Sequence, residues 1–274
     1  EVLMEWGILL EETLKKARVD TLEALKTREV LTKVGTGIGG DVTRQIDVIA
    51  ENVLIEAIRR HVQNATVLSE ESGWIKIGLG GLPLFIIDPL DGSTNVVRGY
   101  PCASISMAVA EGFHLRDVFA GAVINLMSGD LFKAERGGEV YLNTRKVEPS
   151  DVKRLEEAFI AIDLNLSRGF PSYLKRVGPI IERAAHVRFL GTDALETSFV
   201  AAGICDAFVD LRGVLRLTDF AAAAFIVEEA GGVVVDVEGK PLNVAAVLDT
   251  PPPRGSFIAA CTDELCRKIL SLTW

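Results

Sequence analysis

The sequence predicts an α/β protein in two halves, an α+β half over residues 1–150 and an alternating α/β half over residues 151–274. Three observations predict it. Two long amphipathic helical stretches precede a run of short apolar strands. Beyond EPSDVKRL, at 148–155, strand and helix patterns alternate. A chain of 274 residues that is 49% hydrophobic can also bury a sizeable core.

Each element has its own signal. Residues 3–26 place Trp6, Leu10, Leu14, Ala17 and Leu25 near one helical face, and 43–61 carry a wide stripe from Ile46 to Ile58. Between them, KVGTGIGGD reads as a flexible loop. ATVLS, LPLFII, SISMAVA and VFAGAVINL read as strands, the first two ending in acids, and LFKAERGGEVYLN as a hairpin turning at Gly137-Gly138. In the second half, strands AFIAIDL, VRFLG, DAFVDL, VVVDVEGK and SFIAAC alternate with helices over 172–185, 193–202 and 220–230, and a last helix ends the chain.

Composition narrows the partners. A net charge of −9 argues against nucleic acid, because phosphate backbones demand clustered Lys and Arg. No apolar run is long enough to span a membrane, and no basic leader opens the chain, so a cytoplasmic protein is expected. Cys102, Cys205, Cys261 and Cys266 have no metal-like spacing and read as small buried residues. His61, His114 and His186 are scattered and read as surface or capping residues. GTGIGG at 35–40 matches a dinucleotide fingerprint letter by letter, but no buried strand precedes it and the helix opens only after it. A mobile glycine-rich lid is the better expectation.

The acids carry the chemistry. Singly, each has a bland reading: Glu70-Glu71 as a solvated turn, Asp88-Pro89 and Asp91-Gly92 as turns, Asp219 as a helix N-cap, Asp47 as a first-turn acid. Together, strand-end carboxylates at 70, 88 and 91 can converge on one sheet edge, and hard divalent cations want such oxygens. The Leu90 carbonyl can join them, and Gly92, Ser93 and Thr94 offer backbone N–H groups to a phosphate.

IDPLDGSTN, at 87–95, resembles the D-P-x-D-G-[ST]-x-N motif of the inositol monophosphatase family. SEES at 69–72 resembles the family's upstream Glu-Glu motif, and LTDFAAAAFIVEEAGG at 217–232 its C-terminal motif. The resemblance implies a layered αβαβα sandwich, a homodimer, and hydrolysis of a phosphomonoester by water that two or three Mg²⁺ ions activate, with Mn²⁺ as a possible substitute. It implies that Glu70, Asp88 and the Leu90 carbonyl hold one ion, and Asp88, Asp91 and Asp219 a second, with Glu70 assisting a third. Ser93, hydrogen-bonded to Asp47, would orient or deprotonate the water, and the Gly92 and Ser93 N–H groups would hold the phosphate. Glu71 is read as supporting these ligands.

Departures from the pattern bear on substrate. Thr218 stands where many members have Trp. In DAFVDLRGVLRLTD, Asp210 is the nearest match to a substrate-contacting Glu of inositol-preferring members. Arg212 and Arg216 suit a second phosphate or are ordinary surface charges. Asp193 and Ser167-Arg168 are further pocket candidates. This stretch is similar to that of archaeal members acting on both inositol monophosphate and fructose 1,6-bisphosphate, which makes those two the expected substrates. The alternatives are a nucleotide phosphatase for adenosine 3′,5′-bisphosphate or NADP, and a non-catalytic phosphate-binding regulatory protein.

Overall fold

Alternation along the strands decides the layering. In the computed structural model, which describes residues 6–37, 42–165, 172–246, 251 and 253–273, the first sheet has two buried faces. Its strands are β3 (Ala65–Ser69), β4 (Gly73–Ile77), β5 (Leu84–Asp91), β6 (Ser104–Ala110), β7 (Val118–Asn125), β8 (Leu131–Glu135), β9 (Tyr141–Leu142) and β10 (Arg145–Lys146). They run in the order β10-β9-β8-β7-β6-β5-β3-β4. Successive side chains point to opposite faces. Phe85, Ile87, Ile105 and Met107 therefore join one apolar cluster, and Leu84, Ile86 and Ala108 another.

Helices α1 (Trp6–Ala24) and α2 (Gln45–His61) cover the first face with Leu10, Leu14, Ile46, Leu54 and Ile58. A small antiparallel pair, β1 (Lys33–Thr36) and β2 (Val42–Arg44), lies between them in sequence. The short α3 (Ser93–Arg98) follows β5. The second sheet has β11 (Phe159–Ile162), β12 (His186–Arg188), β13 (Ala207–Arg216), β14 (Val233–Val235) and β15 (Arg254–Ala260), in the order β12-β11-β13-β15-β14. Helices α5 (Asp193–Ala201) and α6 (Leu217–Glu229) pack between the two sheets. The alanines of α6 permit close approach: a Cβ on Gly121 of β7 would stand only 3.1 Å from the Ala222 carbonyl oxygen. Helices α4 (Tyr173–Arg183) and α7 (Asp263–Leu270) contact the second sheet from outside, giving the αβαβα layering.

The structure corrects several boundaries. The strand expected to end at Asp88 continues to Asp91, with a register irregularity at Pro89, which has no N–H to give a ladder. The polar-looking 73–77 is a strand, β4, because it pairs with β3. REVL at 28–31 is a short 3-10 helix. The GTGIGG loop begins inside β1, and residues 38–41 lie outside the described residues, so its expected role as a lid is not addressed. Helix α6 starts at Leu217, so Asp219 is its third residue and not its N-cap. Among the described residues no helix is long and apolar enough to cross a membrane. Cys205, Cys261 and Cys266 are buried, Cys102 is half-buried, and all four are free.

Candidate active site

Parallel strands align their carboxyl ends, and each sheet contains such a pair. In the first, β3 runs parallel to β5, bringing Glu70, just past β3, beside the end of β5 with Asp88 and Asp91. In the second, β11 runs parallel to β13, bringing Asp163 beside Asp210. Carboxyl ends of parallel strands are where open α/β sheets receive ligands.

The first group is completed from α6. Asp219 accepts the Arg216 N–H through Oδ2 at 2.8 Å, closing the helix start, and its Oδ1 accepts Thr218 Oγ1 at 3.1 Å. One oxygen each of Glu70, Asp88 and Asp219 then lie within 4.8 Å of one another, all three side chains largely buried. Carboxylic acids taken out of water and set beside other acids resist ionising, as Glu70 and Asp88 do here. Burial pushes Glu70 up to about 7, against the pull of Arg216. Burial, with Glu70, Asp91 and Asp219 as neighbours, raises Asp88 well above the usual carboxylate range. Such a set of hard oxygens suits a divalent cation, which would return Glu70 and Asp88 to the charged form.

Arg216 is no surface charge. Its Nη2 lies 2.6 Å from Glu70 Oε1 and its Nε 3.1 Å from Asp219 Oδ1, with the side chain 13% exposed.

Asp91 stands beside this group with one oxygen engaged. Oδ2 accepts Thr192 Oγ1 at 2.7 Å, the Ala194 N–H at 2.9 Å and Ser104 Oγ at 3.1 Å. Burial raises it to about 6 despite these bonds. The carboxylate thus ties β5 to the first turn of α5.

The chain after Asp91 folds tightly. Gly92 has φ +85°, and a Cβ there would meet the Cys102 and Gly191 carbonyl oxygens at 3.2 Å, so this position requires glycine. Ser93 then opens α3. Asn95 Nδ2 donates to the Cys102 and Leu190 carbonyls at 2.9 and 2.7 Å, pinning this turn to the segment before α5.

Asp47 lies in the first turn of α2, buried. Oδ2 accepts the Arg44 N–H at 2.6 Å, while Oδ1 has no hydrogen-bond partner. Desolvation lifts it to about 6. The expected Ser93–Asp47 hydrogen bond is not made: Ser93 Oγ instead meets Arg44 Nη1 at 3.4 Å, because the Arg44 guanidinium reaches over the start of α2 toward α3. Burial pushes Glu71 up to about 7, and its Oε2 accepts the Thr43 hydroxyl.

The second group is Asp163, Asp193 and Asp210, whose oxygens also gather within 4.8 Å. Arg212 fills it. Its guanidinium pairs with Asp163 and Asp210, lies 3.9 Å from Asp193, and is 5% exposed. Its backbone N–H donates to Asp210 Oδ1 at 2.7 Å. The reading of Arg212 as a surface charge is therefore overturned; two strand-end acids have drawn it inward. Burial and Asp163 raise Asp193 well above the carboxylate range, and its Oδ1 has no hydrogen-bond partner.

Both groups border one cavity of about 630 Å³. Glu70, Asp88, Leu90, Asp91, Gly92, Ser93, Thr94, Asp193, Arg212 and Asp219 line it, while Asp47 and Asp210 stand behind its wall. Ser167 and Arg168 lie outside the described residues. Sequence reasoning missed Asp163, Arg44, Arg254 and Phe189, which also line it. Asp163 had a signal, since AFIAIDL ends a strand in an acid as LPLFII does.

Known proteins resemble this chain over most of its length. A profile described as the inositol monophosphatase family matches residues 9–271. The chain is 36% identical over 247 residues to a fructose-1,6-bisphosphatase/inositol-1-monophosphatase of Methanothermobacter thermautotrophicus, covering 85% of this chain and 84% of that protein. It is 31% identical over 241 residues to a bifunctional NADP phosphatase/NAD kinase of Methanocaldococcus jannaschii, covering 77% of this chain and 41% of that one. The crystal structure of the extragenic suppressor protein suhB from Bartonella henselae superposes with a TM-score of 0.82 at 29% identity, covering 97% of this chain and 96% of that one.

Proposed function

The chain belongs to the inositol monophosphatase family, and from that premise we propose a Mg²⁺-dependent sugar-phosphate phosphatase acting on inositol 1-phosphate, fructose 1,6-bisphosphate or both. As a family member it is a phosphoric monoester hydrolase. The observation that carries the reading is the meeting of Glu70, Asp88 and Asp219 within 4.8 Å at a cavity that Gly92 and Ser93 also line.

Glu70, Asp88 and Asp219, with Asp91 and the Leu90 carbonyl, would hold the cations. Bound there, Mg²⁺ supplies Lewis-acid charge for the phosphoryl oxygens and makes water acidic enough to attack. The chain's own groups do the rest. The Gly92, Ser93 and Thr94 end of α3 presents N–H groups to the phosphate. The free Oδ1 of Asp47, on a carboxyl raised to about 6, is the proton acceptor we assign, and Ser93, here turned to Arg44, would have to turn to Asp47 to link it to the water. Positioning and charge neutralisation carry most of phosphoryl transfer, so no covalent enzyme intermediate is needed.

Substrate choice rests on the remainder of the cavity. The acids around Arg212 offer acceptors to ring hydroxyls, and Arg44, Arg216 and Arg254 on the cavity wall suit a second anionic group. Arg212 itself is neutralised by Asp163 and Asp210, so we assign it to shaping the hydroxyl end and not to reading the second phosphate.

A nucleotide substrate is the second reading. Phe189, 39% exposed and lining the cavity, is a surface on which an adenine could stack, and one relative is named for NADP phosphatase activity. Phosphate release with Mg²⁺ from inositol 1-phosphate, fructose 1,6-bisphosphate, adenosine 3′,5′-bisphosphate and NADP separates the two. Turnover confined to the nucleotides overturns the sugar-phosphate reading. We extend the proposal to a cytoplasmic homodimer, which light scattering would check by returning twice the 29.6 kDa chain mass.

A further inference from the structure

A guanidinium and a divalent cation want the same oxygens in this site. Arg216 Nη2 holds Glu70 Oε1 at 2.6 Å, and Arg216 Nε lies 3.1 and 3.2 Å from the two oxygens of Asp219. Glu70 and Asp219 are two of the three acids that converge. The repulsion between a guanidinium and a divalent ion a few ångströms apart is strong in so buried a place.

The backbone of Arg216 is fixed. It stands where β13 ends and α6 begins, and its N–H is bonded to Asp219 Oδ2 at 2.8 Å. Its side chain borders the cavity. Arg216 can therefore leave the carboxylates by turning about its own side-chain bonds, without moving strand or helix, and the space it turns into is where the substrate sits.

We propose that Arg216 is a tethered counter-cation. It balances Glu70 and Asp219 in the metal-free site, gives up their oxygens when a divalent ion enters, and then turns to an anionic group of the substrate. Metal binding and phosphate binding are coupled through this one side chain. The inference rests on the metal site proposed above.

The test is calorimetric titration of Mn²⁺ into metal-free protein, wild type against Arg216→Gln and Arg216→Lys, each with and without inorganic phosphate. Without phosphate, Arg216→Gln should bind Mn²⁺ about tenfold more tightly, since no internal cation competes. The same variant, metal-free, should melt lower and gain more from Mn²⁺. With phosphate present, wild type should gain Mn²⁺ affinity and Arg216→Gln should gain much less, because coupling is reciprocal. Arg216→Lys keeps the charge but loses the fork that spans two carboxylates, and should fall between them. An Arg216→Gln protein that melts cooperatively and binds Mn²⁺ no more tightly than wild type overturns the inference while leaving the metal site standing. Should that variant fail to fold, the lysine variant decides, and an affinity no higher than wild type's is the overturning result. If wild type itself binds neither Mn²⁺ nor Mg²⁺, the metal site and this inference fall together.

Discussion

Glu70, Asp88 and Asp219 meet Arg216 in one part of the cavity, and Asp163, Asp193 and Asp210 meet Arg212 in another. Each is a triad of acids with one arginine, and each begins at the carboxyl ends of two parallel strands. The difference lies in how the arginine is held. Arg212 is 5% exposed and pairs with two acids that are themselves buried, while its own N–H closes onto Asp210. Arg216 is 13% exposed and reaches two acids, and Asp88 remains crowded and protonation-prone beside them. The count of acids does not mark a metal site. On the function proposed above, what marks it is whether the resident cation belongs to the core or can be replaced.

The largest effect should come from Asp88. Replacing it with Asn should cost at least about 10³-fold in kcat/KM, read as phosphate release, with the fold intact by circular dichroism. Asp163→Asn in the other triad should leave turnover measurable. If the two variants lose activity equally, the comparison breaks.

Stability should rank the arginines the other way. Arg212→Met strands Asp163 and Asp210 in the interior and should cost about 3–5 kcal/mol in urea unfolding. Arg216→Gln should cost clearly less, because Arg216 and Glu70 are each 13% exposed, against 5% and 4% for Arg212 and Asp163. Reversed magnitudes would make Arg216 the structural cation.

The pH dependence sharpens the contrast further. Burial raises Glu70 and Glu71 to about 7 and Asp47 and Asp91 to about 6 in the folded chain. The folded chain therefore keeps protons that the unfolded chain has already released. Their contribution to stability is present below the ordinary carboxylate range and is lost as pH rises through about 6 to 7. Metal-free protein should melt lower at pH 8 than at pH 5, and the rise in melting temperature on adding Mg²⁺ should grow over the same interval. A flat Mg²⁺ increment would mean that these acids do not take part in binding.

The smallest effect should be Asp193→Asn. Its nearest approach to Arg212 is 3.9 Å, so the stability change should be about 1 kcal/mol or less. KM should move more than kcat, because this residue borders the cavity away from the three converging acids.

What could be read from sequence divides along the same line. Glu70, Asp88 and Asp91 were legible because short strands end in or beside them, and Asp219 because it sits in the C-terminal motif. The αβαβα order was implied by the family resemblance that those motifs carry, while periodicity alone pointed to two α/β halves. Asp163 was not singled out, because its meaning depends on β11 pairing with β13, whose partner residues lie more than 40 positions away. The burial of Arg212 and the pairing of Arg216 with Glu70 were equally hidden, since both are set by sheet geometry and neither by local pattern. Asp219 read as a cap because Asp before an apolar run commonly is one. The bond it accepts from the Arg216 N–H shows that the cap is Arg216, so α6 begins at Leu217, three residues earlier than a cap at Asp219 would place it.

The long reach of these ion pairs has a consequence in time. Glu70, Asp88 and Asp91 lie in the first third of the chain, and Arg216 follows Asp91 by about 125 residues. At roughly 5–20 residues per second, a ribosome would need about 6–25 s to deliver it. Through that interval the growing chain carries the acids without the arginine that later balances them. Protons or ions from the surrounding solution must balance those acids first, so the order of synthesis exposes Glu70 and Asp88 to external cations before either Arg216 or Asp219 has been made.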